Sequence, residues 1–161
     1  MENSNAIVLS DLLSLSNMNL NLASNDREAV LGELVNQIPA LAKHPEARAT
    51  LLRALQEREQ LHSTGIGDGI ALPHARNALV GLVNEPIIVF ARHAKGIPFG
   101  AIDNIPARIF FLLVAPNVTL HLAMLARLSR ILRDPKVRQT LLLADTPKKI
   151  VTAIREAESK V

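Results

Sequence analysis

Apolar positions along the chain fall into two spacings, which mark out where helices and strands should lie. Ala29, Leu31, Leu34, Val35 and Ile38 recur at helical intervals behind Asn25 and Glu28, which read as a capping box. A second helix is expected from His44-Pro45, with proline at its first position and Leu51, Leu52, Leu55 and Leu61 on its buried face. The texture then changes. Ile70 to Leu72 reads as a short strand ended by Pro73, and Glu85 to Ala91 as a second. A turn-rich stretch, Lys95 to Asn104, follows. Ala107 to Ala115 is apolar at nearly every position, as expected of a central strand covered on both faces. Three helices close the pattern. One is capped by Thr119 and runs to about Leu132, with Leu122, Leu125, Leu128 and Ile131 or Leu132 inward. One runs from Asp134-Pro135 to near Leu143. The last starts at Thr146-Pro147, with Ile150, Val151 and Ile154 inward. Residues 1–24 read as a loose lead-in with one apolar piece, Ile7 to Leu9. The expected fold class is α/β: a single domain over residues 1–161, with a mixed β-sheet flanked by helices on both sides.

Composition narrows the function classes. At 161 residues, with 48% apolar and 20% charged positions, the chain can bury one sizeable core, which excludes wholesale disorder. The longest strongly apolar run, Ile109 to Ala115, is far short of a membrane span. The opening residues carry no Lys or Arg, so no secretory signal is read and a cytoplasmic location is expected. There is no cysteine, hence no disulfide, thiolate zinc site or cysteine nucleophile. The aromatics are four phenylalanines, which weakens any reading based on base or sugar stacking. Charge is uneven: residues 1–80 sum to −3 and residues 81–161 to +6, so the second half favours anionic partners.

Candidate chemistry concentrates around residues 58–76. Gly65, Gly67 and Gly69 form a loop able to bring backbone N–H groups close to an anion. It is neither a dinucleotide fingerprint nor a P-loop, because the spacing and the Gly-Lys-Ser/Thr ending are missing. His74 stands directly after Pro73, and neutral imidazole is a nucleophile near physiological pH. His121 falls in the first turn of a helix, where free amides and the helix dipole favour negative charge. Arg58 can hold a phosphate with its fork, or else pair on the surface with Glu57, Glu59 or Asp11. Two other classes compete. Arg127, Arg130, Arg133, Lys136 and Arg138 form a basic stripe that could contact nucleic acid. Asp68, His74 and His121 are the material for a metal site, but without ligand spacing.

The run REQLHSTGIGDGIALPHAR, residues 58–76, resembles the active-site segment of the enzyme IIA domains of the bacterial sugar phosphotransferase system, fructose/mannitol type. GIPFGAIDNIPARIFFLLVAP and LHLAMLARLSRIL, residues 96–116 and 120–132, extend the likeness to about residues 7–158, and the nitrogen-regulatory branch is the most similar. The resemblance implies that His74 accepts a phosphoryl group, with His121 and Arg58 beside it and Thr64, Gly65, Gly67 and Gly69 walling the site. It also implies a histidine phosphocarrier protein as donor. The partner downstream would be a regulatory target protein or an enzyme IIB domain. No cofactor, no metal and no membrane insertion are called for. Ala75 stands where many members have glycine, and Ala123 where some nitrogen-regulatory members have a further histidine. A stand-alone phosphorylation-state sensor is the favoured reading, a sugar-transport subunit the second, and a non-transferring anion or nucleic-acid binder the third.

Overall fold

The period-2 stretches meet in one five-stranded mixed sheet in the computed structural model, which describes residues 7–77, 79 and 81–161. The strands are β1 (Met18–Asn19), β2 (Gly65–Gly67), β3 (Ile70–Ala71), β4 (Ile87–Ile97) and β5 (Ala107–Val114), in spatial order β1-β4-β5-β3-β2. β5 is central, as its all-apolar sequence requires. It pairs antiparallel with β4, placing Phe90 opposite Phe111, and parallel with β3, placing Ile70 opposite Ile109.

Alternation along β4 and β5 sends side chains to two cores. On one face Ile88, Phe90, Ile109, Phe111 and Leu113 pack under α3 (Val118–Ile131), α4 (Pro135–Leu143) and α5 (Pro147–Glu158). On the other, Val89, Ala91, Phe110, Leu112 and Val114 pack under α1 (Arg27–Asn36) and α2 (Pro45–Leu61). Each face holds an edge-on phenylalanine pair, Phe90–Phe111 and Phe99–Phe110. The expected α/β sheet with helices on both sides is the one observed.

Several local expectations are corrected. The cap of α1 is Asp26, whose carboxylate accepts from Ala29 N–H at 2.8 Å; Asn25 instead lies 3.1 Å from the His93 ring. Asn117, not Thr119, caps α3, because its side chain reaches Leu120 N–H at 2.9 Å. Leu61 is exposed because Glu59 takes the inward seat after Leu55, and two residues on is about 200° around the helix. Leu122 is exposed for the same kind of reason: His121, Met124, Leu128 and Ile131 form the buried row of α3. β4 runs on to Ile97, through the first residues of the stretch expected to turn.

The lead-in is packed rather than loose over its described part; the expectation for residues 1–6 lies outside the described residues. Leu9, Leu13 and Met18 are buried against the sheet, and β1 adds to its edge parallel to β4. What holds this segment down is Glu158, at the end of α5. Its carboxylate, 6% exposed as a residue, accepts from Leu9 N–H at 2.6 Å, Ser10 N–H at 2.9 Å and Arg127 Nε at 2.9 Å. Arg92 on β4 does a similar service for α4. One guanidinium nitrogen donates to the carbonyls of Leu141, Leu142 and Ala144, closing the helix's C-terminal end.

Candidate functional site

β3 and β5 run parallel, and the crevice outside the carboxyl ends of parallel strands is where an α/β sheet offers a ligand site. Pro73 follows β3, and its carbonyl accepts from Leu113 N–H at 3.0 Å, so His74 is registered against Leu113 at the end of β5. Three residues separate the end of β5 from the start of α3, which carries His121 in its first turn. The two rings meet with centroids 5.7 Å apart, tilted by 58°.

The protonation pattern of His74 follows from one contact. Its Nδ1 lies 2.6 Å from the Leu72 carbonyl oxygen, which can only accept, so Nδ1 carries the proton and Nε2 keeps its lone pair. Burial pushes the His74 ring below its ordinary value of 6.5; the Leu72 carbonyl opposes this, while Arg58 and His121 add to it. His121 is 7% exposed, and burial lowers it as well. Its ring makes no hydrogen bond to protein among the described residues, so as a neutral imidazole it has a donor to offer. An NMR titration of the His74 ring is expected to give a midpoint below 6.5. A midpoint above 6.5 would mean that burial does not control this ring.

Arg58 lies in the last turn of α2, and its guanidinium donates to the His62 carbonyl. Thr64 is buried, and its carbonyl accepts from Leu72 N–H at 3.0 Å, tying β2's start to the residue whose own carbonyl holds His74. Gly65 pairs with Ala71 on the same side. Gly67 and Gly69 do not belong to this wall. They form the hairpin between β2 and β3, beyond Ile70, which lies four residues before His74, roughly 13 Å along an extended chain. Their role is backbone geometry. Gly67 has φ +90° and a Cβ there would sit 2.9 Å from Asp103 Oδ2, the carboxylate that accepts Asp68 N–H. The sequence shows three glycines as one loop; the hairpin turns two of them away from the chemistry.

His74, His121, Arg58, Thr64 and Gly65 therefore gather at one end of the sheet, and Asp68 goes with the distal hairpin. No three His, Asp or Glu side chains converge as metal ligands among the described residues. The basic stripe is partly committed internally. Arg127 pairs with Glu158, and Arg138 donates to the Leu132 and Arg133 carbonyls at 2.9 Å each, closing α3. Sequence reasoning overlooks Glu59, which is 4% exposed and takes both donors of Thr64: N–H at 3.0 Å and the hydroxyl. The available signal was its position in the inward row of α2, four residues after Leu55.

On the resemblance, which implies that His121 and Arg58 stand beside a phosphoryl-accepting His74, His121→Ala and Arg58→Ala are expected to leave the fold intact and to slow phosphoryl uptake by about 10- to 100-fold each. Uptake rates and circular dichroism of the two variants check this. Wild-type rates in both would remove them from the site.

Residues 11–157 match the family model "Phosphoenolpyruvate-dependent sugar phosphotransferase system, EIIA 2". The chain is 35% identical over 151 residues to the fructose-specific EIIABC component of Bacillus subtilis, covering 92% of this chain and 23% of that protein. It therefore spans about a quarter of that relative's length. It is 39% identical over 111 residues to the fructose-specific EIIA component of Haloferax volcanii, covering 68% of this chain and 70% of the relative. It is 28% identical to a nitrogen regulatory protein of Pseudomonas aeruginosa over 95% of this chain and 98% of that one. The crystal structure of nitrogen regulatory protein IIA-Ntr from Neisseria meningitidis superposes with a TM-score of 0.80 at 26% identity, covering 92% of this chain and 99% of that one. With the family model matched over nearly the whole chain and the fold shared with the Neisseria meningitidis IIA-Ntr structure, this chain belongs to the phosphoenolpyruvate-dependent sugar phosphotransferase enzyme IIA family.

Proposed function

We propose that this chain is a phosphocarrier that takes a phosphoryl group onto Nε2 of His74 from the phosphohistidine of a carrier protein. The observation that carries the reading is the 2.6 Å bond from Nδ1 to the Leu72 carbonyl, which leaves Nε2 as the nucleophile beside His121. In the step, the Nε2 lone pair forms a bond to phosphorus while the donor's N–P bond breaks, and that electron pair returns to the donor imidazole. His74 keeps its Nδ1 proton, so its ring becomes positive as the phosphoryl group arrives, and the Leu72 carbonyl opposes that charge. The incoming group carries about −2 charge. The first amides of α3, at Val118 and Thr119, have no acceptor within the helix and favour it, as do a neutral His121 and the Arg58 guanidinium.

The output of the cycle is the phosphorylation state itself, read by a target protein. The match to nitrogen regulatory proteins over nearly their whole length supports this. A second reading, delivery to an enzyme IIB domain in sugar uptake, is supported by the higher identity to fructose-specific components. Val118 and Leu122 are exposed next to His121, and Arg58 and Arg76 flank His74, so a docking partner should offer an apolar and acidic surface. No helix among the described residues is long and apolar enough to cross a membrane, so a membrane step would fall to another segment or protein.

Incubation with phosphoenolpyruvate, enzyme I and a histidine phosphocarrier, followed by intact mass, is expected to show one acid-labile phosphoryl group. Absence of label with several carriers would count against the proposal. Presenting the labelled chain to a fructose-type IIB domain then separates the readings: rapid loss of label favours transport, and retention favours signalling.

A further inference from the structure

Glu59 is buried at a place that disfavours a carboxylate. It makes no ion pair among the described residues, and it lies in the last turn of α2, where the helix dipole opposes negative charge. A group kept only to close this turn could be neutral. Both of its oxygens are nevertheless used on one residue, Thr64, through the backbone N–H and the hydroxyl. From Thr64 the bonds continue without a break. The Thr64 carbonyl accepts Leu72 N–H at 3.0 Å, and the Leu72 carbonyl accepts His74 Nδ1–H at 2.6 Å. The carboxylate thus stands at the closed end of a hydrogen-bonded line whose other end is the nucleophilic ring.

We propose that Glu59 is a positioning residue for His74: through Thr64 and the Leu72 carbonyl it fixes the Nδ1–H tautomer and aims Nε2 at the incoming phosphoryl group. This rests on the reading of His74 as acceptor. Its geometric content is independent of that reading, because the tautomer exists whether or not phosphate is ever transferred. Two consequences follow from the donor count. The Thr64 hydroxyl proton is committed to Glu59, so this side chain serves the site from behind rather than as a donor to phosphate. A glutamine at position 59 removes the negative charge and keeps both contacts only by reversing one, its carbonyl accepting Thr64 N–H while its NH2 donates to the Thr64 hydroxyl oxygen, which frees the hydroxyl proton.

The test uses the full chain labelled with nitrogen-15. The His74 ring nitrogens, assigned by their loss in His74→Ala, are observed by long-range proton correlation at mildly alkaline pH. Wild type is expected to show a single Nδ1–H tautomer. Glu59→Gln and Thr64→Val should show a mixture and accept phosphoryl groups about tenfold more slowly, while Thr64→Ser, which keeps both donors, should keep the single Nδ1–H tautomer. A single Nδ1–H tautomer with an unchanged rate in Glu59→Gln would overturn the proposal, as would loss of the tautomer in Thr64→Ser. Should Glu59→Gln fail to fold, Thr64→Val decides on the same two readouts. If the wild type takes no phosphoryl group from any carrier, the acceptor reading fails, and the tautomers of these variants still judge the relay.

Discussion

His74→Ala is expected to lose phosphoryl uptake completely, by more than about 1,000-fold, while unfolding like wild type. The size of the effect comes from the absence of a substitute. His121, the only neighbouring imidazole described, is more deeply buried, and its ring centroid lies 5.7 Å from that of His74. No backbone carbonyl hydrogen-bonds its ring among the described residues, so nothing fixes its tautomer in the way that the Leu72 carbonyl fixes that of His74. The fold should not suffer, since His74 is only half-buried and the register of this segment is set by the Pro73 carbonyl and Leu113 N–H. Intact mass of both proteins after identical exposure to the donor system gives the answer. Full label on the variant would transfer the acceptor role elsewhere, and His121 would be the first residue to map.

The largest stability effect away from the core is expected at Glu158. Its removal in Glu158→Ala strands the Leu9 and Ser10 amides in a buried setting and leaves Arg127 without its partner. Arg127 is one-third exposed, so its own loss is small; the two amides dominate, and a cost of about 3 kcal/mol is expected. For a chain of this size that corresponds to a fall in Tm of roughly 6–12 °C. Arg127→Gln serves as the comparison and should cost under about 1 kcal/mol. Thermal and urea unfolding of the pair would settle it. Equal effects in the two variants would mean that the ion pair, and not the amide clamp, carries the stability.

The two predictions draw on different depths of sequence legibility. That His74, His121, Arg58 and Thr64 lie near one another is legible because they fall in long patterned stretches, and the central strand is legible because every position from Ile109 to Ala115 is apolar. Glu59 and Glu158 are not. A glutamate on a helix reads as surface by default, and only packing shows that Glu59 faces inward four residues after Leu55 and that Glu158 meets a segment 149 positions away. The caps shifted by one or two residues because Asn25 and Asp26, or Asn117 and Thr119, are locally equivalent candidates. The choice was made by His93 in one case and by the reach to Leu120 N–H in the other. That Gly67 and Gly69 lie in the hairpin, away from His74, is not legible, because a glycine run records backbone freedom and not direction. The lead-in reads as loose in sequence because its burial comes from α5 and β4, elements that its own composition cannot reveal.

The clamp at Glu158 also sets an order of events in the cell. Leu9 and Ser10 are synthesised about 149 positions ahead of their partner. At synthesis rates of about 5–20 residues per second, the interval is roughly seven to thirty seconds. During that time Leu9, Leu13 and Met18 are an unpaired apolar segment, and the face of the sheet they will cover is incomplete. A holdase-type chaperone that binds short apolar stretches would find its best opportunity there. A chain stalled before α5 should accordingly be far more prone to aggregation than the finished protein, even though every strand of the sheet has already been made.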